Sequence, residues 1–494
     1  MDATIDKQTF LAAVGCRTAG WYTRRQPKES PTPGLEWQFY GGNEVGRTAR
    51  AQLGDGLMLP RSPQHVALDA TARALGTPGI SLLFEATFRN GALVARADVL
   101  RRAGRGWDLI EVKSGKETED GEVKGEYLDD VSFTALVMQR SGVPISRCSL
   151  MLLSRVYRLG SPGDVLVEVD VTDAVLARVA QFTEMLPEIV RGCVEEEAPL
   201  PELKIICRKC EFFESECLGR GIDAHIFMLP GLSVKRLAAM KPLVDLRLLP
   251  ADADLTDNQR RVFEVIRSGE PRVSAGLAQL DAVSWPAFFL DFETVSPTLP
   301  WFDQDGAHEQ HPFQFSVHVC DAPGHVVAHH EYLAQCEGDW RRDFVERLLD
   351  VLGDAGSVVV YTDFEKKVLN AMANRFPDLA DRIAMVIRRI FDLHAVVKSG
   401  YCHPGFQGRT SIKKVLPVMV PELGYEGMAV NEGNSASGVF GLMRVGVYHE
   451  ESVEQHRRDL LEYCKLDTLA MVRVHEELLG ILRSAGTLKT RRGT

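Results

Sequence analysis

The chain has 494 residues, 45% of them hydrophobic and 25% charged. That is enough apolar mass for two or three domains and excludes a largely disordered protein. A net charge of −11 excludes a uniformly basic coat, although acidic metal sites flanked by local basic strips remain compatible with it. No apolar run reaches the ~20 residues of a membrane helix, and Met1 to Lys7 lacks the apolar core of a signal peptide. A cytoplasmic protein is expected.

Ten cysteines in such a chain read as thiols or metal ligands rather than disulfides. Cys148, Cys193, Cys320, Cys336, Cys402 and Cys464 sit among apolar neighbours and read as small core residues. Residues Thr9 to Cys16 have the pattern of a short helix, followed by a Pro-rich loop around Pro27 to Pro33 and a second helix opening at Gly42 to Arg50.

Leu82 to Phe88 reads as a strand, Asn90-Gly91 as a hairpin turn, and Leu93 to Leu100 as the returning strand that carries Asp98. Trp107 to Lys113 forms a third strand, on which Glu111 and Lys113 share a face. An acid at one strand end followed by Glu-x-Lys on the next suits metal-assisted phosphodiester cleavage. Asp98, Glu111 and the Val112 carbonyl would hold the metal, and Lys113 would orient water or stabilise charge on the phosphate. Taken alone, Glu-x-Lys is a weak motif and reads better as an ordinary ion pair on an exposed hairpin.

Cys207, Cys210 and Cys217 crowd into one short segment, and Cys16 is the natural fourth thiol. Such a set suits tetrahedral zinc or a [4Fe–4S] cluster, which spacing does not separate. The order Cys16, Asp98, Glu111-Val112-Lys113, Cys207, Cys210, Cys217 resembles the RecB-like PD-(D/E)XK nucleases that carry an iron–sulfur staple. The resemblance spans residues 1–220 and implies a [4Fe–4S] cluster on the four cysteines. It also makes Glu44 and Glu85 lower-ranked acidic site residues. The helix expected after Glu-x-Lys departs from the family pattern, because Asp129 to Leu136 carries no Gln.

Residues 221–284 read as a helical connector, with a helix over Leu232 to Ala238 capped by Ser233 and another over Thr256 to Arg267. Lys235, Arg236, Lys241, Arg260 and Arg261 could track nucleic acid, but a solvated helix face is the commoner explanation for such charges.

From 285 a C-terminal domain begins. Phe288 to Val295 is an apolar strand whose Asp291 and Glu293 project from one face. Two carboxylates on a buried strand are costly unless a cation neutralises them, and hard oxygen ligands suit Mg²⁺ or Mn²⁺. Strands follow at Phe313 to Val319 and His325 to Tyr332, then a helix from Trp340 to Leu352. Val358 to Tyr361 is a strand running into a helix, where Glu365 fits the site best because an aromatic-then-acid pair begins the helix. Asp363 reads as the helix cap, and the two assignments can be reversed. Asp459 to Thr468 is helical, with Tyr463 and Asp467 on one face.

Asp291, Glu293, an acid after a later strand, and Tyr463-x-x-x-Asp467 resemble the DEDDy exonucleases on an RNase H-like fold. That resemblance implies two-metal phosphodiester hydrolysis, with Asp291, Glu293, Glu365 and Asp467 as ligands and Tyr463 orienting water. Phe406 to Pro417 supplies Ser, Thr and Lys groups able to hold phosphates, or a helix capped at Ser411. With Asp392 and His403-Pro404, it resembles an uncharacterised bacterial family that fuses an iron–sulfur RecB-like domain to a DEDD-type domain. The expectation is an α/β protein with domains at 1–220 and 285–494 joined by the connector, acting on DNA with RNA as the alternative substrate. Helicases or other repair and defence proteins are the partners such a family would imply. The rival expectation is a non-catalytic nucleic-acid-binding or assembly protein.

Overall fold

The computed structural model describes residues 4–27, 30–240 and 242–492, with side chains through 484. Lys241 and Met1 to Ala3 lie outside them. The protein is mixed α/β, and no helix of the described residues is long and apolar enough to cross a membrane. It divides into two units. The first comprises Met1–Ser30, Gln38–Arg220 and Pro297–Glu309; the second comprises Pro31–Trp37, Gly221–Ser296 and Gln310–Thr494.

The first unit holds strands β1 (Leu57–Met58), β2 (Leu82–Asn90), β3 (Leu93–Ala103), β4 (Gly106–Lys116), β5 (Ile145–Leu153) and β6 (Leu166–Asp170), paired in that order. β2, β3 and β4 form an antiparallel meander, and β4 pairs parallel with β5. A parallel pair needs a crossover, supplied here by α5 (Gly125–Arg140). The other helices are α1 (Lys7–Gly15), α2 (Arg17–Arg25), α3 (Pro33–Leu53, of which Gln38 onward belongs to this unit), α4 (Gln64–Gly76), α6 (Thr172–Val194) and the single turn α7 (Phe212–Ser215). α3 starts at Pro33, nine residues before the expected Gly42. Proline is at home in a first helical turn, where its missing N–H goes unused.

Strand alternation explains both cores of this unit. Leu83, Leu100, Leu109 and Leu150 face α1, α5 and α6, where Phe133 meets Phe10 at 4.8 Å. Their neighbours Leu82, Phe84, Val99, Ile110 and Met151 face the opposite way, against Val45 and Ala49 of α3. Both faces are covered, so the strands read as nearly continuous apolar runs. Each fully buried Phe stabilises the fold by about 1.5–3 kcal/mol.

The second unit contains α8 (Val234–Met240), α9 (Asp257–Ser268), α10 (Arg341–Leu352), α11 (Phe364–Arg375), α12 (Ala380–Arg388), α13 (Leu393–Gly400), α14 (Ile412–Met419), α15 (Gly433–Arg444) and α16 (Glu450–Arg492). Its strands are β7 (Arg272–Val273), β8 (Ala287–Val295), β9 (His311–Ala322), β10 (His325–Leu333), β11 (Ser357–Val360), β12 (Ile390–Asp392) and β13 (Tyr401–Cys402). The five-stranded sheet runs β10-β9-β8-β11-β12, while β7 pairs only with β13. β8, β9 and β10 are antiparallel, whereas β8, β11 and β12 are parallel.

Residues 221–284 do not stand apart as a connector. Leu277, Leu280 and Val283 enter the same core as Phe289 and Val359, because burying them there removes apolar surface that a free linker would expose. Three of the basic residues of this stretch are engaged within the second unit. Arg260 donates to the carbonyls of Ala251 and Ala253, Arg261 donates to those of Lys398 and Ser399, and Arg236 lies 3.7 Å from Asp254. Ser233 accepts from the Arg236 N–H at 3.3 Å, as a helix cap does.

Candidate metal centres

In the second unit, β8 is flanked by an antiparallel strand on one side and a parallel one on the other. Past Val360 the chain leaves the sheet and enters α11, which opens a crevice where open α/β sheets bind ligands. Asp291 and Glu293 stand on one face of β8, Glu365 opens α11, and α16 supplies Tyr463 and Asp467 one turn apart. All five line one cavity of about 370 Å³, with Tyr361, Thr362, His394, Ser411 and Lys413.

Carboxylate oxygens of Asp291, Glu293 and Asp467 come within 4.8 Å of one another. Glu365 is 3% exposed, and its Oε2 is buried without a hydrogen-bond partner. Asp363, the other candidate, is exposed and paired with Lys367 at 3.0 Å. The geometry therefore selects Glu365.

Crowding these acids out of water has a predictable electrostatic result. Burial, then the neighbouring carboxylates, hold Asp291 well above its ordinary range. Glu293 is raised by burial and by Asp467. Burial pushes Glu365 up to about 8. Asp467 is raised by burial but is held back by the Tyr425 and Tyr463 hydroxyls and by Lys413. A divalent cation is the charge this set lacks, and the orphaned Glu365 oxygen fits one.

Tyr425 was not legible in the sequence. It reaches from a loop 42 residues before Asp467, and its hydroxyl donates to Asp467 Oδ1 at 2.5 Å. Lys413 Nζ lies 5.2 Å from the Tyr425 ring and 5.0 Å from the Tyr463 ring. Ser411 precedes α14, but its side chain makes no cap hydrogen bond, contrary to the capping expectation. Its place is the cavity wall. The loop before it is held by Tyr361, which donates to the Thr410 carbonyl at 2.8 Å, and by Gly408 at φ +72°. A Cβ on Gly408 would lie 1.8 Å from the Met228 carbonyl oxygen. Asp392 caps α13 through the Ala395 N–H, and His403 accepts from Gly405, so neither enters the cavity.

In the first unit, the β3–β4 register brings Asp98 and Glu111 together: Val99 pairs with Ile110, and the Val112 N–H donates to Asp98 Oδ2 at 2.9 Å. Glu111 is 2% exposed and accepts from Lys113 at 3.1 Å and from Lys7 at 2.6 Å. Lys113 also bonds Asp130 of α5, and Lys7 lies 3.8 Å from it. Lys7 and Asp130 carried no sequence signal, since nothing links the first turn of α1 to a strand a hundred residues on. Burial and the Glu111 charge push Asp98 up to about 7. Burial works against ionising Glu111, yet Lys7 and Lys113 hold it down to about 2. Glu111 Oε2 is buried without a hydrogen-bond partner, which fits a metal ligand.

Asp98 and Val112 line a cavity of about 440 Å³ with Glu85, Arg47, Arg50 and Arg61. Glu85 is 6% exposed, sits at φ +65° within β2, and receives Arg61 at 2.6 Å. A non-glycine residue held there costs about 1–3 kcal/mol, a strain that collects at functional sites. Glu44 does not line this cavity; it pairs with Arg47 on the same helix.

Cys16, Cys207, Cys210 and Cys217 line a separate cavity of about 260 Å³ walled by Leu11, Tyr22, Ile206, Phe212 and Phe213. All four are free thiols. Burial pushes Cys207, Cys210 and Cys217 above the ordinary thiol range, while backbone N–H groups oppose it. One of these is the Lys204 N–H, 3.4 Å from Cys207 Sγ. Thiolates carry negative charge, so N–H groups turned onto buried sulfur fit metal ligation. Of the scattered cysteines, Cys336 is only half-buried and the other five are buried.

Residues 288–411 match a family described as Domain of unknown function (DUF2779). The match contains Asp291, Glu293 and Glu365 and stops before Tyr463 and Asp467. A search of curated proteins gave no match.

Proposed function

We propose that this protein is a metal-dependent nuclease with two phosphodiester-hydrolysing sites, acting on DNA. The observation that carries the reading is the convergence of Asp291, Glu293, Glu365, Tyr463 and Asp467 on one cavity. The order of the second sheet also supports an RNase H-like domain, with three antiparallel strands continuing into two parallel ones and the acids on the central strand. For the first unit, support for a PD-(D/E)XK domain comes from the succession α4-β2-β3-β4-α5-β5, with Asp98 on β3 and Glu111-x-Lys113 on β4.

In the C-terminal site, Asp291, Glu293, Glu365 and Asp467 would hold Mg²⁺ or Mn²⁺. The bound ions supply Lewis acidity toward phosphoryl oxygens and a water of lowered pKa. Tyr463, beside Asp467, is placed to orient the attacking water. Lys413 sets a cation at the mouth, where a phosphate is recognised. In the N-terminal site, Asp98 and Glu111 would be the ligands, and Lys7 and Lys113 are the cations beside them, 2.6 and 3.1 Å from Glu111. The four thiols fit a [4Fe–4S] cluster, and a cavity of about 260 Å³ is far larger than one zinc ion needs, given the ~30 Å³ share of a water molecule. The cluster would give a brown protein absorbing near ~400 nm.

The test is degradation of end-labelled single-stranded DNA by purified protein with Mg²⁺ or Mn²⁺. Wild type should shorten the strand from its 3′ end, and the Asp291→Asn, Glu111→Gln double variant should leave it intact. Equal activity of the two proteins refutes the assignment.

One observation favours a second reading for the first unit. Lys7 places an ammonium 2.6 Å from Glu111, a charge supplied by the chain where a metal would otherwise be required. On that reading the N-terminal unit binds nucleic acid without cutting it, and Asp291→Asn alone abolishes all cleavage. Cleavage that survives Asp291→Asn and disappears with Glu111→Gln excludes it.

A further inference from the structure

We propose that the arginine-lined cavity beside Asp98 is the seat of one nucleic-acid strand, held by its phosphates. The inference rests on reading the first unit as a nuclease or nucleic-acid-binding domain, and it names the surface that delivers the strand. The cavity, about 440 Å³, is bounded on one side by α3, which presents Gly42, Asn43, Gly46, Arg47 and Arg50, and on the other by Arg61, Glu85, Asp98 and Val112.

Three features of this wall suit a phosphodiester. Its cations are guanidinium groups, whose planar forks match phosphate oxygens two at a time. They also differ in how firmly they are engaged. Arg61 is committed to the buried Glu85. Arg47 pairs only with Glu44 in a surface contact, 59% and 34% exposed, of the kind worth little in water and readily exchanged for a phosphate. Arg50 has no carboxylate within 4.0 Å among the described ion pairs. Third, the helix wall is cleared of side chains. Gly42 and Gly46 share one face of α3. A Cβ on Gly42 would meet nothing within 4 Å, and one on Gly46 would touch the Arg50 guanidinium at 3.4 Å. Glycine at these two positions leaves room for a sugar–phosphate chain and for the Arg50 side chain. The cavity holds about 440 Å³, and a single strand is the occupant proposed for it. Its floor carries Asp98 and the Val112 that bonds it, so a strand seated here runs toward the candidate metal ligands.

The test uses the full-length protein and a dye-labelled single-stranded oligodeoxynucleotide in EDTA, with binding followed by anisotropy across a salt series. The double variant Arg47→Ala, Arg50→Ala should bind about tenfold or more weakly, as expected for losing two charge-assisted contacts. Each lost phosphate contact should lower the slope of log affinity against log salt by about 0.7. Gly42→Leu should weaken binding at an unchanged melting temperature, because its side chain enters open space and fills the seat. If the wild type binds and all these variants keep its affinity and salt slope, the seat is elsewhere and only this inference fails. If the wild type does not bind the strand at all, this inference and the proposed function fail together.

Discussion

The two acidic sites solve the same electrostatic problem in opposite ways. In the first unit, lysines from α1 and β4 converge on Glu111, and a third acid, Asp130, shares them. In the second unit, Asp291, Glu293, Glu365 and Asp467 face one another, with Lys413 the one Lys or Arg lining their cavity among the described residues. Buried like charges at this spacing cannot all ionise in a low-dielectric pocket. In the first set the two lysines hold Glu111 down to about 2 while burial and the Glu111 charge push Asp98 up to about 7, whereas burial raises all four acids of the second. Counting carboxylates therefore does not rank metal sites; what matters is the cations the chain itself places beside them.

The largest effect should follow from removing a ligand at the metal-demanding site. Asp291→Asn should lower 3′-end shortening of single-stranded DNA by about 10³-fold or more, which is roughly 4 kcal/mol of lost transition-state stabilisation. Product lengths on a sequencing gel report it. A change under tenfold would break the comparison at its stronger end.

The second prediction concerns pH. Glu365, held near 8, and Asp98, near 7, bind protons in the folded protein that the unfolded chain has already released. Their stabilising contribution is complete below about 4, their unfolded range, and is lost as pH rises through the folded values. His318, His329 and His475 are lowered by burial to about 4 and act in the other direction. Their contribution is complete above about 6.5 and is lost as pH falls. Between pH 6.5 and 8.5 the acids should dominate, joined toward pH 8.5 by thiols such as Cys148 and Cys320, which burial raises and which act in the same direction. The melting temperature of metal-free protein should fall across that interval, and added Mn²⁺ should restore it at pH 8.5. Glu365→Gln should flatten the slope, as read by scanning calorimetry.

A smaller effect is expected at the self-neutralised site. Lys7→Met removes one of the two ammonium groups on Glu111, and since Lys7 is only about a quarter exposed, the protein should lose about 1–2 kcal/mol. Denaturant unfolding followed by tryptophan fluorescence gives the number. The smallest effect should be that of Tyr425→Phe, which deletes one hydrogen bond to Asp467 and should cost about 1 kcal/mol of metal-free stability. It should leave Mn²⁺ affinity within a few-fold, because the carboxylate itself remains.

Much of this arrangement is legible in the sequence, and the exceptions have physical causes. Alternation along β8 placed Asp291 and Glu293 on one face, and four-residue spacing did the same for Tyr463 and Asp467. Both follow from local geometry. Between Asp363 and Glu365 the sequence favours Glu365, because an aromatic-then-acid pair begins the helix, yet it leaves the two reversible; Glu365 is the buried one, and Asp363 is exposed. Tyr425 and Lys7 reach their sites only through tertiary packing, from a loop and a helix start without a distinguishing pattern. The left-handed backbone of Glu85 is likewise invisible in a run that reads as regular strand. The division of the chain was the least legible feature. Pro31–Trp37 belongs to the second unit and Pro297–Glu309 to the first, and no periodicity marks either exchange.

Manganese binding followed by electron paramagnetic resonance at pH 8 probes the central claim most directly, comparing wild type with an Asp291→Asn, Glu365→Gln variant. The account predicts that wild type takes up Mn²⁺ at the C-terminal acids with release of protons, and that the variant loses this binding while its fold persists. Wild-type protein that leaves the Mn²⁺ spectrum that of the free ion, or a variant that binds as wild type does, would contradict it.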